Sequence, residues 1–329
     1  MKKYMTLFAA ALILAQAVHG SGSSDGSAAG GKIAYPTKPI QIVCPVAPGG
    51  DTDRNTRVLA QLLGKHLKQN VVVTNINGGA TVTGMQHVLD NGADGYTLII
   101  NGADILVPEA LGLSKVTVES FKSICIPLLD NTCALVVNKA SGFADLKDLV
   151  AKSIASPNKI EYGGRIGAFN QLHGIAMNKL WKAKMKFVDV GNNAAKLTAL
   201  LAKQTQVINI SYSLALDYFK TGEFFAVCLL GPEKNALLPN LKLASDFGYP
   251  NVDASKFFWI GAHPNVSDEI IDILVAGFKK VYDDPEYQKY LKDNFLTPVF
   301  YAKDEALKFA KKTRDEQVTP FRDEFLAAQ

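Results

Sequence analysis

The sequence predicts a two-lobed α/β protein on three observations. β-Branched runs alternate with helical spacing in two separate series, glycine-rich turns follow one strand after another, and 329 residues with 48% hydrophobic content suffice for two cores.

Taken in order, Met1-Lys2-Lys3-Tyr4 precedes an apolar stretch over residues 5–15 and the small-residue pattern Ala15-Gln16-Ala17. This is the layout of a signal peptide, residues 1–20, cleaved near Ala17 or Gly20. It is too short to cross a bilayer, and no later run approaches the roughly 20 apolar residues that a transmembrane helix needs. The expected location is therefore the periplasmic or extracellular side of a cell envelope, with the signal peptide removed. Residues 21–32, almost all Gly, Ser and Ala, read as a flexible tether. Ser21 stands where a lipid-bearing cysteine would be, so export without a lipid is expected.

The first alternating series has strands over residues 40–43, 71–74 and 97–100, and it predicts a parallel sheet. The helix after the first strand carries Val58, Leu59, Leu62, Leu63 and Leu67 at helical spacing. The second series has strands over 135–137, 160–162, 187–190 and 207–210. Its helices start from Asp145, run through Leu172, Ala176 and Leu180, and carry Leu197, Leu200 and Leu201. Later, Ser267 caps a helix with Ile270, Ile271, Leu274, Phe278 and Val281, and Asp284-Pro285 opens another with Pro at its first position. A last amphipathic helix begins near Asp304 with Leu307, Phe309 and Ala310. There are no internal repeats.

Net charge is +4, of which Lys2 and Lys3 carry two, leaving +2 in the mature chain. The basic residues are scattered without an aromatic-basic stripe, so nothing points to nucleic acid. Cys44, Cys125, Cys133 and Cys228 lie in or beside apolar strand-like runs and read as free, buried, small apolar residues. Cys125 and Cys133 form the one sequence-close pair that an exported chain could join.

Ligands of open α/β sheets bind beyond the carboxyl ends of the strands. The first such loop, PVAPGGDTD over residues 45–53, is a strand-to-helix turn. Gly49 and Gly50 let the backbone approach a ligand, and the first N–H groups of the helix starting near Asp53 face outward, a seat for an oxyanion. NGGATVTG (77–84), YGGRIGAFN (162–170) and the turn at 190–193 repeat that design. Gly79 and Gly84 have P-loop spacing, but Met85-Gln86 follow where Lys and Ser or Thr are required. No dinucleotide fingerprint is present, and no cofactor is expected. His66, His87, His173 and His263 lack metal-ligand spacing, and no Gly-x-Ser-x-Gly elbow occurs, so catalysis has no support. Asp51 and Asp53 could form a carboxylate pair, although helix capping explains at least one of them equally well.

The run YPTKPIQIVCPVAPGGDTDRNTR resembles the opening of the substrate-binding receptors of tripartite tricarboxylate transporters, the TctC or Bug family. Asp94-Gly95-Tyr96-Thr97-Leu98, Leu238-Pro239 with Gly248-Tyr249-Pro250, and Asp284-Pro285-Glu286 resemble further motifs of that family. The resemblance implies a type II periplasmic-binding-protein fold, two lobes joined by two crossing strands, closing on a small solute. It further implies lobe 1 over 33–126 and 229–300, lobe 2 over 127–228, and a C-terminal helix over 301–329 packing across the lobes. The implied ligand is a small di- or tricarboxylate, amino acid or aromatic acid. The implied partners are the membrane subunits of a tripartite transporter, and the expected state is a monomer without enzymatic activity.

By the same resemblance, lobe 1 contributes Ala47, Gly49, Gly50, Thr52 and Asp53, with Gly79, Ala80, Thr81 and Gly84. Lobe 2 contributes Gly163, Gly164, Gly167, Asn170 and His173, with Gly191, Asn192, Ser211 and Ser213. Asp51 departs from the family's small residue, and a carboxylate there would repel a bound one by about 1 kcal/mol even when solvated. Asp51 therefore turns outward, meets a cationic group of the ligand, or pairs with Arg165, which could instead clamp the ligand. Phe169 and Tyr212 could stack on an aromatic solute or serve the core. Two other outputs stay open: a sensor docking on a signalling receptor, and a hydrolase using Asp51, Asp53 and His173.

Overall fold

The computed structural model describes residues 33–327; the expected signal peptide and tether lie outside the described residues. In chain order the first elements are β1 (Ile40–Cys44), α1 (Asp51–Leu67), β2 (Val71–Asn75), α2 (Val82–Asn91), β3 (Thr97–Gly102), α3 (Leu106–Ala110) and β4 (Lys122–Asp130). Next come β5 (Cys133–Asn138), α4 (Leu146–Ala155), β6 (Glu161–Gly164), α5 (Phe169–Leu180), β7 (Lys186–Asp189), α6 (Asn193–Leu201), β8 (Val207–Ser211), α7 (Leu216–Thr221) and β9 (Phe224–Leu229). The chain ends with β10 (Lys256–Ala262), α8 (Asp268–Asp283), α9 (Pro285–Asp293), β11 (Thr297–Ala302), α10 (Asp304–Thr313) and α11 (Arg322–Ala327).

These strands form two sheets, in the orders β11-β4-β10-β3-β1-β2 and β7-β6-β8-β5-β9. As the alternation predicts, β1, β2 and β3 are parallel, with Ile42 opposite both Val73 and Leu98. The other half of that sheet is antiparallel, with Trp259 of β10 opposite Asn101 of β3. That half is poorly marked in the sequence because the centres of KSICIPLLD and KFFWIGA, ICIPLL and FFWIGA, are apolar throughout and mostly buried on both faces, so they show no alternation. The second sheet is also mixed, with β5 antiparallel to β8 and β9.

Each sheet has its own core. Against the first, Ile271, Leu274, Phe278 and Val281 of α8 pack with Leu59, Leu62 and Leu63 of α1. Every such side chain fully buried contributes roughly 1.5–3 kcal/mol. Around the second, Leu135, Val137, Leu149, Tyr162, Met177 and Trp181 cluster with Leu230, Ala244 and Val252 from the segment after β9. Ser267 caps α8, and Asp284 caps α9 ahead of Pro285. All four cysteines are free and buried.

The chain passes between the sheets twice, directly from β4 to β5 and again between β9 and β10. The C-terminal segment also touches both. Ala306, Ala310 and Val318 pack with Phe121 and Trp259, while Phe325 shares that cluster with Phe169 and Leu172 of α5. Arg314 pairs with Glu109 and Glu119, and Glu324 pairs with Lys179 of α5. Among the described residues, no helix is long and apolar enough to cross a membrane.

Candidate functional site

Between the two sheets lies a cavity with an empty volume of about 680 Å³, including the part open to solvent. From the first sheet it is lined by Val46, Ala47, Gly50, Asp51 and Thr52 at the turn into α1. Gly102, Ala103 and Asp104 follow β3, and Lys256 and Phe258 come from β10. From the second sheet come Cys133, Arg165, Phe169, Asn170 and His173. Asn192, Asn193 and Lys196 of the α6 entry, with Asn209 and Ile210 of β8, complete the wall. Much of the wall is the carboxyl ends of strands and the first turns of helices that follow them, while Cys133 and Lys256 stand at the starts of β5 and β10.

The local geometry follows from sequence. Gly49 sits at φ +89°, a conformation that favours glycine, and turns the chain so that α1 starts at Asp51, two residues earlier than expected. Asp53 reaches back to accept the Gly49 N–H at 3.0 Å and is held by Arg57 and Asn75. It is a brace for the turn and does not line the cavity. A Cβ on Gly84 would stand 2.8 Å from the Ile76 carbonyl and from Pro45 Cβ, so this glycine lets the second loop lie against the first.

Of the residues expected from the sequence, the structure brings Ala47, Gly50, Asp51, Thr52, Arg165, Phe169, Asn170, His173 and Asn192 together around the cavity. Gly79, Ala80, Thr81, Gly84, Gly164, Gly167 and Gly191 shape the loops without lining it. Ala80 instead meets Gly167 of the facing loop, where a glycine Cβ would lie 3.1 Å from Ala80 Cβ. Ser211 and Ser213 face a smaller neighbouring hollow with Arg54 and Asp130. Tyr212 packs against Phe219 in a tilted arrangement at 4.8 Å and meets Phe295 edge-on, so it serves packing. Phe169 does line the cavity, edge-on to His173 at 4.7 Å.

Of the alternatives open for Asp51, pairing with Arg165 does not occur: Asp51 pairs with Lys256, which also lies 3.5 Å from Asp130 and donates to Ser211 Oγ at 2.8 Å. Burial pushes the Asp51 carboxyl up, but the attraction of Lys256 outweighs it and holds the group below its ordinary value. Lys256 is shifted up because Asp51 and Asp130 overcome the cost of its burial. Arg165 instead pairs with Asp104, whose other oxygen accepts the Phe169 N–H at 2.8 Å. An aspartate from one lobe therefore sits on the first turn of a helix of the other. Asn192 Nδ2 makes a further bridge, donating to the Pro48 carbonyl at 3.2 Å.

Asp104, Lys196, Asn209 and Lys256 went unseen in the sequence. Asp104 follows the third strand of the first series, where the rule used for the other loops would have found it. Lys196 left a signal in standing four residues before Leu200 on the apolar face of α6. Lys256 and Asn209 lie within strands, and only the fold brings them to the cavity. Among the described residues, no group of three or more His, Cys, Asp or Glu side chains is arranged to hold a metal ion.

The Arg165–Asp104 pair spans the cleft while partly exposed, 18% and 25% respectively. Asp104→Ala is therefore expected to weaken solute binding about tenfold by removing a contact of the closed form, worth about 1–2 kcal/mol with its hydrogen bond to α5. Small-angle scattering should report a larger radius of gyration for the variant. Equal radius and equal affinity would show that the pair does not hold the lobes together.

A cleft lined from two α/β lobes, with helix entries on both sides, is the architecture of two-lobed periplasmic binding proteins, and solved structures share the fold. The fold matches periplasmic binding protein BugD with a TM-score of 0.79 at 21% identity, over 88% of this chain and 98% of that one. It matches MatC from Rhodopseudomonas palustris, solved with malate, with a TM-score of 0.78 at 18% identity, over 88% and 100%. In sequence, the chain is 26% identical over 281 residues to protein BugT of Bordetella pertussis, covering 84% of this chain and 86% of BugT. Residues 55–319 match the profile of the tripartite tricarboxylate transporter family receptors. The chain belongs to that receptor family.

Proposed function

We propose that this protein is an exported receptor, without catalytic activity of its own, that captures a small carboxylate by lobe closure and delivers it to the membrane subunits of a tripartite transporter. In this reading the mature chain acts as a monomer after loss of residues 1–20. Lobe 1 comprises residues 33–130 with 256–302, and lobe 2 comprises 131–255. Relative to the expected bounds, the first crossing moves from residue 126 to 130, the end of β4, and the last limit from 300 to 302, the end of β11; the second crossing moves from 229 to 256, because Leu230, Ala244 and Val252 share the core of the second sheet. Ala47, Gly50, Thr52, Asn170, His173 and Asn192 belong to the ligand's surroundings.

The single observation that carries the reading is the cavity with cationic and amide groups from both lobes, crossed by the Arg165–Asp104 and Asn192–Pro48 bridges. Contacts made by both lobes at once favour the closed conformer. Family membership and a structural neighbour solved with malate support a carboxylate as the solute. The test is thermal unfolding against mono-, di- and tricarboxylates, with neutral sugars and simple amines as controls. At tenfold excess over the dissociation constant, a true ligand adds about 1.4 kcal/mol. Stabilisation by sugars or amines alone would refute the carboxylate assignment, and turnover of a bound solute would refute the absence of catalysis.

A further inference from the structure

We propose that Lys196 and His173 form the seat for one ligand carboxylate, and that the cleft therefore selects solutes carrying a single carboxylate over matched dicarboxylates. This rests on the reading of the cleft as a carboxylate site and adds the charge that the solute bears.

Lys196 is 2% exposed and lines the cavity, yet it makes no ion pair within 4 Å among the described residues. Its ammonium donates only to the backbone and side-chain oxygens of Asn209. The same Asn209 turns its Nδ2 to His173 Nδ1 at 2.9 Å, which makes Nδ1 the acceptor and leaves the ring proton on Nε2. His173 is 3% exposed and lines the cavity, and its Nε2 is buried without a hydrogen-bond partner. The buried His173 Nε2–H and the Lys196 N–H left over after its two bonds to Asn209 are two unmet donors organised by one asparagine, and a carboxylate has the oxygens to meet both.

The other cationic groups are already answered. Lys256 faces Asp51 and Asp130, and Arg165 with the first N–H of α5 faces Asp104. A second carboxylate would have to displace one of these aspartates or stand beside them, whereas an uncharged or ammonium-bearing tail would not. The charged and titratable groups around Lys196 are Cys133 of β5, His173 of α5, Lys256 of β10, Asp51 of α1 and Asp104 after β3. Burial, then repulsion from Lys256, brings its ammonium down to about 8 against the pull of Cys133, Asp51 and Asp104. Burial, then Lys256 and Lys196, brings His173 down to about 3, so it stays a neutral donor at every working pH.

The experiment is titration calorimetry of the mature protein with linear monocarboxylates of two to eight carbons, the matching ω-amino acids, the matching dicarboxylates, and benzoate with phthalate. The wild type should bind its best monocarboxylate or amino acid at least tenfold more tightly than the matched diacid. Its affinity should fall about tenfold per pH unit above pH 8. Lys196→Met should bind at least thirtyfold more weakly with a flat profile from pH 7 to 9.5. His173→Gln, which keeps a side-chain N–H, should lose less than His173→Phe. A diacid that binds more tightly, or Lys196→Met with unchanged affinity, overturns the seat and leaves the carboxylate reading intact. If no carboxylate binds at all, the broader reading fails with it.

Discussion

Lys256→Met is expected to lower the unfolding free energy by about 3–5 kcal/mol, the cost of leaving buried carboxylates without their cation. Asp130 is fully buried, and it keeps Thr132 N–H, Thr132 Oγ and Ser211 Oγ as donors but loses the Lys256 counter-charge. Asp51 loses the partner that holds its carboxyl low. The loss has a pH signature. In the wild type, the stability that Asp51 contributes is present above its unfolded value of 3.8 and fades as pH falls through its lower folded value. In the variant the Asp51 carboxyl becomes easier to protonate, so the deficit should be larger at pH 7.5 than at pH 5. Urea unfolding at the two pH values measures it, and a variant as stable as wild type at pH 7.5 would show that Lys256 is dispensable.

Lys196→Met should act in the opposite direction and raise stability at pH 7 by about 2 kcal/mol. Bringing an ammonium from 10.5 down to about 8 means that its charged form costs about 3 kcal/mol in the folded state. Leaving the Asn209 carbonyl without its donor returns about 1 kcal/mol of that. Because the folded value lies below the unfolded one, the unfolded chain holds more protons between pH 8 and 10.5. Wild-type stability therefore rises with pH across this window. The advantage of the variant should be full below pH 8 and shrink to a fraction of a kcal/mol by pH 10, as read by urea unfolding at pH 7 and 10. A variant less stable than wild type at pH 7 would mean that the ammonium is well satisfied inside the protein.

How far the site was legible follows from the range of the interactions. The turn at 45–53 and the strands at 40–43, 71–74 and 97–100 are local: each depends on neighbours within about ten residues, so glycine placement and periodicity reveal them. The same local reasoning located Asp51 and Arg165 on facing loops. It could not pair them correctly, because their partners are decided by which strand lies between. β10 enters the middle of the first sheet from more than 150 residues beyond β3, and it brings Lys256 to Asp51. Asp53 misled for a related reason: a carboxylate in a helix's first turn reads alike whether it faces a ligand or braces its own loop. The donors hung on Asn209 are tertiary throughout, since α5, α6 and β8 meet there and no spacing announces it.

The C-terminal chain carries a mechanical consequence. With one grip on Glu109 and Glu119 and another on Lys179, it ties the halves together at a third place besides the two passages between the sheets. It works like the stay on a door, bounding the swing. Rotations of the halves that keep those grips intact are limited to those the segment can follow, and wider excursions require residues 304–327 to let go first.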